Sequence, residues 1–263
     1  MQNLRLSGLI AVCLISGLLS QADAQERVAN RVGAGSKNHK LVPVLKLAKI
    51  AEAKLSDTKD YTATFTKRER IGDDLTSQRM ELKLREKPFS VHIKFVQPHE
   101  GRQVIYVDGR NDGHMIVRGA GIEAVVGTIK LLPTSNRAME ESRYPVSMIG
   151  VRKMMTKVIQ QWTSELKYDD IDVKFYPNAR IGNVQCKVLQ TSHSQNKKHF
   201  RFHMTRLYLD KSTNFPIRLE QYGFPKKAGE KPVLMEEYTY TNVRPNRGLK
   251  DMDFSEKNPA YGF

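Results

Sequence analysis

The feature that most limits what this chain can become is a two-residue period in its apolar side chains, beginning at Tyr61. In YTATFTKRERI (61–71), Tyr61, Ala63 and Phe65 alternate with threonines. In RMELKLRE (79–86), Met80, Leu82 and Leu84 alternate with Glu81, Lys83 and Arg85. In FSVHIKF (89–95), Phe89, Val91, Ile93 and Phe95 alternate with Ser90, His92 and Lys94. Successive side chains of a strand point to opposite faces, so each segment has one face for a core and one for water. One-sided strands belong to antiparallel sheets, because parallel sheets are covered on both faces and carry near-continuous apolar runs. RQVIYVD (102–108) and HMIVR (114–118) add a hairpin, and IDVKFYP, VQCKVLQTS, TRLYLDKS, PIRLEQYGF and LMEEYTYTNV resume the pattern from residue 171. Ile171, Val173 and Phe175 are expected to face inward together, as are Val184, Cys186 and Val188.

Two stretches depart from that period. LVPVLKLAKIAEAKLS (41–56) has a wide apolar face at helical spacing, with Pro43 in the first turn, where its missing N–H does no harm. In PVSMIGVRKMMTKVIQQWTSELKY (145–168), Val151, Met155, Val158/Ile159, Trp162 and Leu166 form a helical stripe, and Gly150 marks a kink or an unwound first turn. Residues 119–144, with Gly119, Gly121, Gly127 and Pro133, read as an irregular break. The order is helix, about five strands, helix, about five strands. The expected fold is α+β: one large curved antiparallel sheet, an open or half β-barrel of about ten strands, wrapped over two main helices.

The N-terminus reads MQNLRLSGLIAVCLISGLLSQADA, with Arg5, an apolar run from Leu6 to Leu19, and an A-x-A site at Ala22–Ala24. This is the pattern of a secretory signal peptide, too short for an ordinary membrane span. The expected organisation is a signal peptide over 1–24, a flexible leader over 25–40 and a single domain over 41–263. The expected location is the periplasm, with no transmembrane span after cleavage. Of the two cysteines, only Cys186 would remain, so no internal disulfide can form and stability rests on packing. The formal charge of +15 favours anionic partners such as lipid headgroups or acidic glycans, and in an exported protein nucleic acid is not expected.

Motifs for chemistry are thin. Asp108–Gly113 (DGRNDG) resembles a calcium loop, but Arg110 stands where a ligand oxygen is needed, and the stretch lies between two strands as a turn would. Gly119–Ala124 (GAGIEA) lacks the βαβ context of a dinucleotide loop, and Gly33–Lys37 (GAGSK) lacks P-loop spacing. His193, His199 and His203 have no glutamate at zincin spacing and have Lys197 and Lys198 between them, so a surface hairpin is expected rather than a metal site. Neighbouring carboxylates such as Glu140/Glu141 and Asp169/Asp170 point apart on a regular element. No enzyme, metal or cofactor is expected.

The coherent reading left is a concave apolar interior that either fills with its own side chains or leaves room for an acyl chain. Its candidate lining is Phe65, Leu82, Leu84, Val91, Ile93 and Phe95 from the strands, with Met154, Met155 and Trp162 from the second helix. Methionines 139, 148, 154 and 155 suit a wall that repacks around variable chains.

Helix, then Y-T-A-T-F at 61–65, then RMELKLREKPFSVHIKFVQPHEGRQVIYVDG at 79–109 resembles the opening of the lipoprotein-carrier superfamily (LolA/LolB-like). More narrowly, FVQPHEGRQVIYVDGRNDG (95–113) and MDFSEKNPAYGF (252–263) resemble an uncharacterised bacterial family of secreted proteins within it. The resemblance implies an open β-barrel lidded by helices, an apolar cavity and no catalysis. The expected function is therefore a periplasmic carrier sheltering the acyl chain of a lipid or lipoprotein, with an anionic membrane surface as a further partner. The alternative is an envelope interaction module that binds an acidic glycan or a protein through its basic face. An enzyme acting on lipid or cell-wall material ranks last.

Overall fold

The computed structural model describes residues 38–263, apart from 122–124, 126 and 228. The signal peptide, nearly all of the leader and the Gly33–Lys37 motif lie outside the described residues. The first element is helix α1 (Leu41–Lys54), which buries Leu41, Val44, Leu45, Ala48 and Ala51, the face its spacing predicted.

A meander of six strands follows: β1 (Asp60–Ile71), β2 (Asp74–Arg85), β3 (Ser90–Gln97), β4 (Gln103–Val107), β5 (Met115–Arg118) and β6 (Thr128–Leu131). A connecting arm carries the short helix α2 (Asn136–Met139) and leads into helix α3 (Val151–Glu165). A second meander then runs through β7 (Asp172–Ile181), β8 (Val184–Ser192), β9 (Met204–Asp210), β10 (Pro216–Gly223) and β11 (Val233–Pro245). The two meanders join where β11 pairs antiparallel with β1, with Phe65 opposite Tyr240 and Glu69 opposite Glu236. The result is one sheet of 11 strands in the order β6-β5-β4-β3-β2-β1-β11-β10-β9-β8-β7. The α+β architecture of one large antiparallel sheet with few helices is the one expected. The additional strand, β6, is a short edge strand inside the glycine-rich stretch read as irregular, where four residues are too few for a period to show.

The inward face follows the predicted alternation. Tyr61, Phe65, Met80, Leu82, Leu84, Val91 and Ile93 are all nearly inaccessible and pack with α1 and α3 in one core. Trp162 is fully buried, and its indole N–H donates to Thr191 Oγ1 at 3.0 Å.

Several expectations are corrected. The second helix starts at Val151 rather than near Pro145; residues 146–148 form a single 3-10 turn. Gly150 is the helix N-cap at φ 116°, held by two tyrosines: its N–H donates to Tyr240 Oη and that of Val151 to Tyr61 Oη, both at 3.1 Å. Phe175 is 48 % exposed, on the edge strand β7. Cys186 is buried, but on the opposite face from Leu189, Leu207 and Leu219, in a small cluster with Ile181 and Ile217. Residues 193–203 are the largely exposed connection of the β8–β9 hairpin, as expected, but with a buried anchor. His193 is 2 % exposed and stacks on Phe200 with ring centres 3.6 Å apart, and Phe200 and Phe202 are buried.

The outer face of β3–β5 is covered by the C-terminal tail. Phe254 packs on Ile105, Val107 and Ile116. Tyr261 stacks on His92 at 3.9 Å, and Lys83 reaches Asp253 at 2.8 Å and Tyr261 Oη at 2.9 Å.

Candidate functional site

In a flat sheet, seven inter-strand steps of about 4.8 Å would set β6 and β10 roughly 34 Å apart. Yet Ile129 on β6 and Leu219 on β10 line one cavity of about 920 Å³. The sheet therefore curls, and the cavity is the hollow left between its concave face, the arm and α3. This volume lies near the upper end of the roughly 300–1,000 Å³ usual for small-molecule sites.

The cavity has two chemically distinct parts. One is apolar: Phe65, Met80, Ile93 and Phe95 on the sheet face Val146, Ile149 and Met154 from the arm and α3. Of the nine side chains expected to line it, Phe65, Ile93, Phe95 and Met154 do so. Leu82, Leu84 and Val91, on the same face of the sheet beneath the helices, and Met155 and Trp162, on α3, instead lie in the packed core, each 1 % exposed or less. Among the methionines, Met148 and Met154 line the cavity, joined by Met80 and Met115 from the sheet.

The other part is polar, and residue-level reading missed it. Lys67 and Glu69 continue the inward parity of Tyr61, Ala63 and Phe65, as Glu236 does for Tyr238 and Tyr240. That parity was the available signal: a charge at a core position must have a partner or a function. Lys67 Nζ lies 3.2 Å from Glu69 and donates to Ser142 Oγ at 2.7 Å. Burial pulls its ammonium below the ordinary lysine value, against the opposing pull of Glu69. Glu69 also accepts the Arg143 N–H at 2.9 Å and the Tyr238 hydroxyl. Glu236 takes Arg143 Nε at 2.9 Å and the Tyr144 hydroxyl at 3.1 Å. Burial pushes the Glu236 carboxyl above its usual range, and burial with Glu236 pushes the Tyr144 phenol up to about 12.

At the end of α3, Gln161 links Gln221 (2.7 Å) to Glu165 (3.1 Å), and His193 Nε2 lies 3.5 Å from the same Glu165 oxygen. Asp108–His114 is the turn between β4 and β5, with Asn111 and Asp112 at positive φ. Gly119–Gly121 lies in a loop, and the rest of that glycine motif falls outside the described residues. No group of His, Cys, Asp and Glu among the described residues is arranged to hold a metal ion.

Residues 58–263 match the model of the family described as "Protein of unknown function (DUF1571)". The chain belongs to that family. For DUF1571, the uncharacterised family anticipated from residues 95–113 and 252–263, no curated relative matches this member's sequence. Its fold is similar to that of a LolA superfamily protein from Nitrosomonas europaea, at 13 % identity and TM-score 0.33, over 80 % of this chain and 96 % of that one. It is also similar to a putative outer membrane lipoprotein-sorting protein domain from Vibrio parahaemolyticus, at 15 % identity and TM-score 0.38, over 82 % and 97 %. A third similar structure is the lipoprotein LppX of Mycobacterium tuberculosis, at 10 % identity and TM-score 0.43, over 80 % and 98 %. No helix among the described residues is long and apolar enough to cross a membrane.

Proposed function

We propose that this protein is a non-catalytic periplasmic carrier whose cavity shelters the acyl chain of a lipid or lipoprotein. In this reading residues 1–24 direct export, 25–40 form a leader and 41–263 make the single binding domain. The observation that carries it is the apolar part of the 920 Å³ hollow, walled by Phe65, Met80, Ile93 and Phe95 on one side and by Val146, Ile149 and Met154 on the other. Chain burial there supplies about 0.8 kcal/mol per methylene at best. Methionine on both walls lets the lining follow chains of different shape. The non-catalytic part of the reading is supported by the buried carboxylates: Glu69 and Glu236 are each taken up by several donors from Arg143 and neighbouring tyrosines, leaving neither poised toward a shared reacting atom.

The test is native mass spectrometry of protein taken gently from its own compartment, followed by organic extraction, with acyl-probe titration of the wild type and Phe95→Glu. Phe95 lies under the Arg102 guanidinium, 5.6 Å from its ring centre, so a carboxylate there has a cation beside it and folding should survive. The wild type is expected to carry a stoichiometric acyl adduct, and the variant to bind the probe at least roughly tenfold more weakly, in keeping with a charge set against a methylene chain. Undiminished binding by a folded Phe95→Glu would remove the cavity as the site.

A further inference from the structure

The cations around the polar part of the cavity are unequally served. Lys67 has Glu69 at 3.2 Å, Arg102 has Glu141 at 3.3 Å and Arg143 has Glu236 at 2.9 Å. Lys157 on α3 and Arg201 on the 193–203 loop line the same hollow with no carboxylate of the described residues in ion-pair contact. Both are gathered on one ring, that of Tyr144: Lys157 Nζ lies 4.0 Å from its centre and Arg201 Cζ 5.4 Å, while Arg201 Nη2 donates to Tyr144 Oη at 2.6 Å. Glu236, whose charge acts on both Lys157 and Arg201, is already bonded to Arg143 and Tyr144. Burial and then the Arg201 charge act to weaken proton binding at Lys157, and the Glu236 carboxylate opposes them. What holds both in place is the Tyr144 ring and hydroxyl rather than a carboxylate.

An aromatic path leads from this pair to the apolar part. Tyr144 meets Tyr238 at 6.4 Å, Tyr238 meets Phe65 at 6.3 Å, and Phe65 stacks on Tyr240 at 4.7 Å. A molecule with a charged head at Lys157 and Arg201 would therefore have its tail beside Phe65 and Met80.

We propose that Lys157 and Arg201, braced on Tyr144, form a subsite for the anionic headgroup, phosphate or carboxylate, of an amphiphile whose acyl chain occupies the apolar part of the cavity. The proposal rests on the acyl-binding reading above and adds the class of ligand: anionic in preference to zwitterionic. Charge-assisted hydrogen bonds from a half-buried ammonium and an exposed guanidinium at the mouth suit a phosphate or carboxylate.

The experiment titrates lysophosphatidylglycerol, lysophosphatidylcholine of the same chain length, and inorganic phosphate into wild type, Lys157→Gln/Arg201→Gln and Arg201→Lys, with folding checked by circular dichroism. The wild type should bind the anionic lysolipid roughly tenfold or more tightly than the zwitterionic one, as expected for charge-assisted bonds. The double glutamine variant should lose that preference, and Arg201→Lys should retain most of it. Equal binding of the two lysolipids by the wild type overturns the headgroup subsite and leaves the acyl reading standing. A preference that survives in the double variant overturns it as well. Phosphate binding lost in the double variant, with neither lysolipid bound, upholds the anion subsite and overturns the acyl reading. If neither lysolipid nor phosphate binds, both fail.

Discussion

Gly150 shows how much one residue carries. Its φ of +116° lies where L side chains rarely go, and a Cβ there would come 2.7 Å from Leu84 Cδ1 and 3.3 Å from Tyr61 Oη. Gly150→Ala should cost about 2–4 kcal/mol, from backbone strain together with overpacking of a closed core. A fall in the urea midpoint checks this, and an unchanged midpoint would show that the β1–α3 junction yields. His92 makes a second case. Burial holds its imidazole down at about 4, against the usual 6.5, with Gln103 Oε1 at 2.9 Å and Tyr261 stacked upon it. A depressed value means that the folded state prefers the neutral ring. The stability is present above pH 6.5 and is lost as pH falls from 6.5 through about 4, to the extent of about 3 kcal/mol. Unfolding midpoints at pH 7 and 4.5 should therefore differ more for the wild type than for His92→Gln. Equal differences would place the acid sensitivity elsewhere.

At the scale of elements, alternation identified the strands because a half-buried strand has to declare its inward face residue by residue. It could not tell depth along that face. Leu82, Leu84 and Val91 share parity with Ile93 and Phe95, but the first three lie beneath the helices and the last two beside the hollow. Nor did an alternating pattern say which face a satellite cluster would cover, hence Cys186 on the far side of the sheet from the main core. The C-terminal tail is an element without regular structure, and its aromatics were visible without their destination. Phe254, Tyr261 and the Asp251 and Asp253 carboxylates fasten it to β2–β5, with Asp251 bridging Arg85 and Arg110 at 2.8 Å each. Deleting residues 249–263 uncovers Ile105, Val107 and Ile116, so the shortened chain should bind a hydrophobic dye and unfold at lower temperature. Native-like behaviour on both counts would make the tail dispensable to the fold.

For the molecule as a whole, local periodicity was silent on the pairing of β1 with β11, strands some 170 residues apart along the chain. That seam turns two meanders into one curled sheet and sets Glu69 against Glu236, so the polar part of the cavity exists only in the assembled fold. The arm between the meanders was equally illegible, since its residues 141–144 take their positions from ion pairs rather than from any repeating pattern. The walls of the hollow are tied down at unequal density. Helix α3 hangs from the hydroxyls of Tyr61 and Tyr240 at its first turn and leans on Thr191 through Trp162, so it is a fixed wall. The arm is pinned by β6 pairing up to Leu131 and by Lys67 and Gln78 bonding to Glu141. Between those two moorings lies 132–140, with Leu132 exposed and a helix of a single turn. Any guest of the hollow would therefore meet this short span on one side and, on the others, walls tied by strand pairing and buried hydrogen bonds.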